Sequence, residues 1–147
     1  MIFDENGLIN FAEKLGHLLE AGDVLILTGE LAAGKTTFTK GIAKGLGIQQ
    51  MVKSPTFTIV REYEGGRLPL YHMDIYRVGD DPDSFDLDSY LESAGVTIIE
   101  WGELLGPDLP ENYLAVQFIK TDEKHRELIL SGHGQRAESF MQKLSFS

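Results

Sequence analysis

A short apolar run that leads directly into a glycine-bounded loop is the feature that most limits how this chain can fold. Residues 24–27 (V-L-I-L) are continuously apolar, which is typical of a strand buried on both faces of a sheet with parallel character. Residues 29–36 follow as G-E-L-A-A-G-K-T. Apolar residues then recur at helical spacing, at Phe38, Ile42, Ala43 and Leu46. The sequence therefore predicts a buried strand, a tight loop and an amphipathic helix in direct succession.

The loop matches the pattern G-x-x-x-x-G-K-[ST] at every fixed position, and the flanking strand and helix disfavour a chance match. Its glycines let successive backbone N–H groups point at phosphate oxygens, and the helix that follows adds the positive end of its dipole. Lys35 supplies a charge for the β- and γ-phosphates, and Thr36 supplies a hydroxyl suited to Mg²⁺. We therefore predict ATP and Mg²⁺ as cofactors. The predicted nucleotide-binding residues of the loop are Gly29, Leu31, Ala32, Ala33, Gly34, Lys35, Thr36 and Thr37.

The rest of the chain predicts an alternation of helices and strands. Residues 57–64 and 68–76 are β-branched and aromatic segments on either side of Gly65-Gly66, so they predict an antiparallel hairpin. Further helices are expected at residues 8–19, 82–91 and 135–144, and further strands at residues 96–99, 114–120 and 126–131. Together these elements predict an α/β fold: a single P-loop NTPase-like domain over residues 1–147, in which helices flank a mixed sheet with a parallel core and an antiparallel hairpin.

Two carboxylates are predicted to lie near the loop at strand ends. Glu100 follows apolar residues 96–99, as expected of a strand beside the one that carries the loop. A P-loop enzyme needs such a carboxylate to hold Mg²⁺ or orient the attacking water. We therefore predict that Glu100 is a catalytic residue and a metal ligand. Lys35 of the loop is predicted to be a second catalytic residue. Strand alternation places Asp74 on the same face as His72. For Asp74 a catalytic role and a structural hydrogen bond to His72 are both open, whereas for His72 the structural pair is favoured.

Two further candidate site residues have both a functional and a structural interpretation. Thr56 lies in Ser54-Pro55-Thr56, a restrained turn whose hydroxyls could sense the γ-phosphate in catalysis or simply shape the turn. Trp101 could stack near the nucleotide or fill the core, and the tendency of large aromatic side chains to pack favours the core.

Charge and composition limit the classes of partner and compartment. With 23 acidic and 13 basic residues the net charge is -10, so a bare polyphosphate backbone is repelled and direct nucleic-acid binding is disfavoured. The absence of cysteine excludes disulfides and thiolate metal sites, which fits a reducing compartment. Residues 1–5 lack the regions of a signal peptide, and no apolar run approaches the ~18 residues of a membrane span. We expect a cytoplasmic protein that does not enter a membrane.

Four blocks of residues, in this order, resemble the TsaE family, also called YjeE. They are G-E-L-A-A-G-K-T-T at 29–37, V-K-S-P-T-F at 52–57, Y-H-M-D-I-Y-R at 71–77 and I-E-W at 99–101. The resemblance covers residues 4–131. The family usually has glycine where Ala32 stands, and alanine allows fewer backbone conformations at that point of the loop.

The resemblance implies a small bacterial ATPase that acts with two partner proteins, TsaB and TsaD. Its task would be to support the threonylcarbamoyl-adenosine modification beside the anticodon of tRNAs that read ANN codons. Hydrolysis is expected to be slow and to reset the partner complex between turnovers, and tRNA is met only through the partners. By matching motif, Thr36 and Glu100 are implied Mg²⁺ ligands, and Lys35 and the loop amides are implied phosphate binders. Asp74, Thr56 and Trp101 are implied neighbours of the site.

Two other functions remain open from the sequence. A small-molecule kinase is the main alternative, because the same loop positions a γ-phosphoryl group for transfer as readily as for hydrolysis. Small size and few arginines argue against it, since such kinases usually carry a lid and several arginines around the transferred group. Four of the arginines are scattered along the chain, at Arg61, Arg67, Arg77 and Arg126. A third possibility is a nucleotide-binding module that hydrolyses nothing.

Overall fold

The computed structural model describes residues 2–29, 34–49, 60–74, 87–92, 94–101 and 109–145. In this part of the chain the strands are β1 (Ile2–Phe3), β2 (Val24–Gly29), β3 (Val60–Tyr63), β4 (Leu70–Asp74), β5 (Val96–Glu100), β6 (Tyr113–Lys120) and β7 (Arg126–His133). The helices are α1 (Glu5–Leu18), α2 (Lys35–Gly45), α3 (Leu87–Leu91) and α4 (Gln135–Ser145). Among these described helices, none is both long and apolar enough to cross a membrane.

All of these strands belong to one mixed sheet in the order β1-β7-β6-β2-β5-β4-β3. The neighbours β6, β2, β5 and β4 run parallel. By contrast, β3 pairs with β4, β6 with β7, and β7 with β1 in antiparallel fashion. This confirms the predicted α/β fold with a parallel core and an antiparallel hairpin. The strand that leads into the loop, β2, lies at the centre, and the strand that carries Glu100 is its direct neighbour.

Burial explains why the two central strands are continuously apolar. Every residue of β5 is buried, and so are the first four residues of β2, because helices cover both faces of the sheet there. One core contains apolar side chains from α1, α2 and α4, and a second core, around Ile26 and Ile99, receives Tyr90 and Leu91 of α3. Toward the sheet edge, β6 alternates between buried and more accessible residues until Lys120, as expected where only one face is covered.

The observed elements confirm most of the predicted ones and add one. The hairpin is confirmed where β3 and β4 pair, while residues 57–59 and 75–76 lie outside the described residues. Residues 82–86 of the predicted third helix also lie outside them, and α3 accounts for its last turn. The edge strand β1 was not predicted, because two residues carry no periodicity that a sequence could reveal.

Helix α1 begins and ends with side-chain hydrogen bonds to its backbone. The Asp4 carboxylate accepts a hydrogen bond of 2.7 Å from the backbone N–H of Gly7, as an N-cap residue does. The helix ends at Leu18, before the expected limit, and the Arg67 guanidinium donates to the carbonyl oxygens of Gly16 and Leu19 at 2.8 Å each. A cation at this end also complements the helix dipole. Arg67 thereby ties the α1 terminus to the segment between β3 and β4.

Helices α1 and α2 approach closely because glycines leave room at their contact. A Cβ added at Gly41 would lie 2.5 Å from the Ala12 Cβ and 2.8 Å from the Ile9 carbonyl oxygen. A Cβ added at Gly16 would lie 2.6 Å from the Ile42 carbonyl oxygen. Real Cβ atoms do not approach backbone so closely, so the two helices would have to separate. These glycines therefore fix the position of α2 and, with it, the position of the loop that precedes it.

We expect Gly41→Ala to lower the free energy of unfolding by about 1–3 kcal/mol through overpacking, although alanine is favoured over glycine in an isolated helix by about 1 kcal/mol. Urea unfolding of the variant and wild type measures the difference. Adding Ala12→Gly removes one of the two clashes and should restore part of the stability. A Gly41→Ala variant as stable as wild type would contradict the close helix contact.

Candidate active site

Two glycines in unusual backbone conformations bound the loop. Gly29, the last residue of β2, has φ +143°, and a Cβ there would lie 2.8 Å from the carbonyl oxygen of Phe118 on β6. Gly34 has φ +101° and is the N-cap residue of α2. Both conformations are readily adopted only by glycine, so the fixed glycines of the motif have a backbone reason. The predicted phosphate binders Leu31, Ala32 and Ala33 lie outside the described residues.

Lys35 begins α2, and its ammonium group turns back toward the end of β2. The side chain is buried, and Nζ donates a hydrogen bond of 2.9 Å to the carbonyl oxygen of Gly29. Nζ also lies 3.7 Å from Oε1 of Glu100 and 5.3 Å from the centre of the Trp101 ring. The ammonium is therefore held by a carbonyl, a carboxylate and an aromatic face at once. The structure thus brings together two predicted catalytic residues and one predicted neighbour.

Glu100 ends β5 between the two strands that carry the other polar groups. Its Cα pairs with Leu27 of β2 on one side and with Asp74 of β4 on the other, so the two predicted carboxylates are neighbours across the sheet. Its Oε2 atom lies 2.6 Å from Nε2 of His72, and both side chains are buried. The predicted partner of His72 was Asp74, whereas the bond in the structure goes to Glu100. Alternation along β4 could not reveal this, because the pair depends on the register between two strands 28 residues apart.

The charges around Glu100 keep it ionised despite its burial. Burial by itself raises the pKa of Glu100, but the hydrogen bond from His72 and the electrostatic attraction of Lys35 outweigh that effect and lower the pKa below 4.5. An ionised carboxylate supplies hard oxygen atoms and can accept hydrogen bonds. The site therefore combines one fixed cation with one fixed anion.

Trp101 has a backbone conformation that is rare for its residue type. Its φ is +62°, and it is the single non-glycine residue with positive φ among the described residues. A bulky residue in this conformation is strained, and such strain concentrates at functional sites. The side chain is half-buried against the core around Ile26 and Ile99, and it also faces Lys35. Packing in the core is therefore confirmed, and contact with a nucleotide remains a prediction.

A cavity of about 520 Å³ lies beside the loop and was not predicted from the sequence. It lies between the start of α1, the start of α2 and the turn that joins β6 to β7. Gly34, Thr36 and Thr37 line one wall, and Lys124 and Arg126 line another. No sequence signal links these segments, because they meet only in the folded chain. The remaining predicted catalytic residue, Thr56, lies outside the described residues.

The lowered pKa of Glu100 predicts how the fold responds to acid. Because the folded pKa lies below the unfolded value, the carboxylate stabilises the protein above pH 4.5, and this contribution is lost as the pH falls through the folded pKa. At pH 7 we expect Glu100→Gln to lower the free energy of unfolding by about 1.5–3 kcal/mol, the usual contribution of hydrogen bonds to a charged group. Denaturant unfolding of both proteins from pH 7 to pH 3 should show the gap narrowing below pH 4.5. A gap that widens on acidification would contradict this assignment.

The sequence of this chain matches a protein-family model and several named proteins. The family model "Threonylcarbamoyl adenosine biosynthesis protein TsaE" matches residues 2–128. A protein of Bacillus subtilis named tRNA threonylcarbamoyladenosine biosynthesis protein TsaE is 48% identical over 134 residues, covering 91% of this chain and 85% of that protein. A protein of the same name from Treponema pallidum is 45% identical over 119 residues, covering 80% and 87%.

The solved structures include a similar fold. The crystal structure of Bacillus subtilis YdiB superposes with a TM-score of 0.85 at 38% identity, over 99% of this chain and 93% of that one. The match therefore extends over the helices, the mixed sheet and the strand ends that carry the candidate site. With the family model covering most of the sequence and relatives above 40% identity, this chain belongs to the TsaE family.

Proposed function

We propose that this chain is an ATP-binding, slowly hydrolysing P-loop ATPase that supports a TsaB–TsaD complex in the threonylcarbamoyl-adenosine modification of tRNA, by resetting that complex between turnovers. The observation that carries the proposal is the Lys35 ammonium, buried at the start of α2 beside an ionised Glu100. The relatives from Bacillus subtilis and Treponema pallidum are named for the biosynthesis of this tRNA modification, which supports the pathway.

Phosphate binding follows from the start of α2. The N–H groups of the first helical turn have no partners within the helix and attract anions, and the helix dipole adds to this attraction. Lys35 needs only to move from the Gly29 carbonyl oxygen to a phosphate oxygen, because both positions lie at the mouth of the same helix. Thr36 and Thr37 are half-buried in the same turn and line the adjoining cavity. These groups would hold the triphosphate.

The residues at the strand ends fit Mg²⁺ in their chemistry. Mg²⁺ prefers oxygen ligands and is usually bound through one or two protein groups together with substrate phosphates. Thr36 and Glu100 would offer such oxygen atoms to a shared site, in which the ion would neutralise charge on the phosphates. Asp74 is half-buried beside Glu100 and would serve as an additional oxygen ligand or as an acceptor for a bound water.

The cavity beside the loop supports a position for the nucleoside. Its volume lies in the usual range for small-molecule sites, and it is continuous with Gly34 and the two threonines of α2. Leu8, which is mostly buried in the core, adds a small apolar surface, and Asp4 and Asn6 offer hydrogen-bonding groups. We propose that the base and ribose occupy this cavity while the phosphates lie over the start of α2.

Slow hydrolysis is expected from the same interactions that keep Glu100 ionised. A carboxylate with a lowered pKa is a weak base, so it takes a proton from an attacking water less readily than a carboxylate with a raised pKa. Glu100 is better suited to orient a water or an ion than to abstract a proton. The chain is therefore proposed to act as a switch whose partners accelerate the reaction.

Two of the arginines that bear on the kinase alternative donate to backbone carbonyl oxygens. The Arg67 guanidinium donates to carbonyl oxygens at the end of α1, and Arg126 donates to carbonyl oxygens of Asp122 and His125 in the β6–β7 turn. A phosphoryl-transfer enzyme instead uses arginines around the transferred group. We therefore keep the partner-dependent ATPase as the proposed function.

The role of Lys35 is open to direct measurement. We expect Lys35→Ala to weaken ATP binding by about 10- to 100-fold, because one charge-assisted contact to phosphate is worth about 1.5–3 kcal/mol. Isothermal titration with ATP, ADP and GTP, with and without Mg²⁺, gives the affinities. Lys40→Ala, an exposed lysine on the same helix, is the matched control and should bind like wild type. Wild-type affinity in Lys35→Ala would count against the site.

The proposed pathway role requires the partners. Purified chain is mixed with TsaB, TsaD, ATP, threonylcarbamoyl-adenylate and tRNA, and modified tRNA is counted per TsaB–TsaD complex over time. We expect several turnovers with the wild-type chain, and no more than about one when the chain is omitted or replaced by Lys35→Ala, because resetting needs the nucleotide. Repeated turnover without this chain would remove the pathway role, although nucleotide binding would stand.

A further inference from the structure

We propose that His72 is a positioning residue for Glu100, an inference that rests on the ATPase activity proposed above. The imidazole donates its Nε2–H to Oε2 of Glu100 and thereby leaves Oε1 turned toward Lys35 and the nucleotide side of the site. His72 itself would touch neither phosphate nor metal. Its contribution would be to keep one carboxylate oxygen in the place where an ion or a water is held.

The sheet register brings the two side chains together. His72 pairs with Ile98 and Asp74 pairs with Glu100 across parallel strands β4 and β5, so His72 lies one alternation behind Glu100 on the same face. That face packs against α1 and α2, whose first residue is Lys35. The His72 side chain has no exposed surface, and the 2.6 Å contact to Oε2 is short for a hydrogen bond between nitrogen and oxygen. Such a contact restricts the carboxylate strongly.

The second ring nitrogen of His72 bears on which tautomer the side chain adopts. Nδ1 of His72 is buried and has no hydrogen-bond partner among the described residues. A proton on Nδ1 would bury a donor without an acceptor, whereas a proton on Nε2 meets an ionised carboxylate. The geometry therefore assigns the proton to Nε2, and His72 donates while Glu100 accepts.

Without the hydrogen bond from His72, the Glu100 carboxylate could form a closer ion pair with Lys35. Oε1 lies 3.7 Å from Lys35 Nζ, which is an ion pair without a direct hydrogen bond. A carboxylate released from His72 could rotate to bind the ammonium with both oxygens, as an ion pair in a buried site favours. Glu100 would then neutralise Lys35 and lose the oxygen that faces the ion. Loss of His72 should therefore affect the metal-dependent steps more than the binding of nucleotide alone.

Three variants of His72 and one control variant separate positioning from packing. His72→Leu removes the donor, and His72→Gln can present an amide N–H near the place of Nε2, whereas the shorter His72→Asn cannot reach it. Ile98→Val, a change on the neighbouring strand and the same face, serves as the control for core packing. The measurements are thermal unfolding, ATP affinity with and without Mg²⁺, and single-chain ATP turnover.

We expect His72→Leu to lose about 10- to 100-fold in turnover and in the gain of ATP affinity that Mg²⁺ provides, the usual effect of removing a group that orients a ligand. Affinity without Mg²⁺ should fall less than this, since Lys35 is retained although Glu100 then competes with phosphate for its ammonium group. His72→Gln should recover most of the loss, and Ile98→Val should lower the unfolding temperature without changing turnover. If His72→Leu does not fold, the contrast between the Gln and Asn variants decides.

The outcomes also separate this inference from the proposed function. Wild-type turnover and Mg²⁺ dependence in His72→Leu would overturn the positioning role alone, and so would equal losses in His72→Gln and His72→Asn. A wild-type chain that neither binds Mg²⁺-ATP nor hydrolyses it would overturn the proposed function. Nitrogen-15 NMR of the imidazole, assigned with the His72→Gln variant, tests the contact without nucleotide: protonation of Nε2 supports it, and protonation of Nδ1 alone overturns it.

Discussion

The buried ion pair between Lys35 and Glu100 is the interaction on which the site depends. Burying two charges is favourable only where further hydrogen bonds satisfy them, and here the Gly29 carbonyl oxygen serves the ammonium while His72 serves the carboxylate. These groups come from β2, α2, β4 and β5. The site can therefore form only when the parallel core of the sheet and the helix after the loop are in register. The fold and the candidate site are linked through this one pair.

The arrangement of α2 follows from constraints outside the site. Gly16 and Gly41 let α1 approach α2 closely, and Gly29 lets the end of β2 pass close to β6. Asp4 and Arg67 fix the two ends of α1. Because α2 begins at Lys35, each of these contacts also sets where the ammonium lies. These three uncharged glycines thus help to position the ammonium group of Lys35.

Local sequence patterns predicted the succession of strand, loop and helix, whereas contacts between distant segments could not be predicted from them. The strand, loop and helix could be read because burial, glycine spacing and helical periodicity act within 20 residues. Glu100 was predicted beside the loop because it follows an apolar strand expected to neighbour the one that carries the loop. The His72–Glu100 bond, the Arg67 cap of α1 and the cavity near Arg126 each join segments far apart in the sequence. No periodicity encodes such contacts, so the structure was needed to find them.

The local charges bear on how a chain with a net charge of -10 would attract the triphosphate proposed as its ligand. Lys35 and Glu100 nearly cancel, so the attraction would not come from excess positive charge in the site. It would come from backbone N–H groups at the start of α2 and from an ion that brings its own charge. A site built this way would bind phosphate alone weakly and would respond to the metal. The net negative charge of the chain would disfavour other polyanions, including RNA, without opposing a ligand held by the helix end.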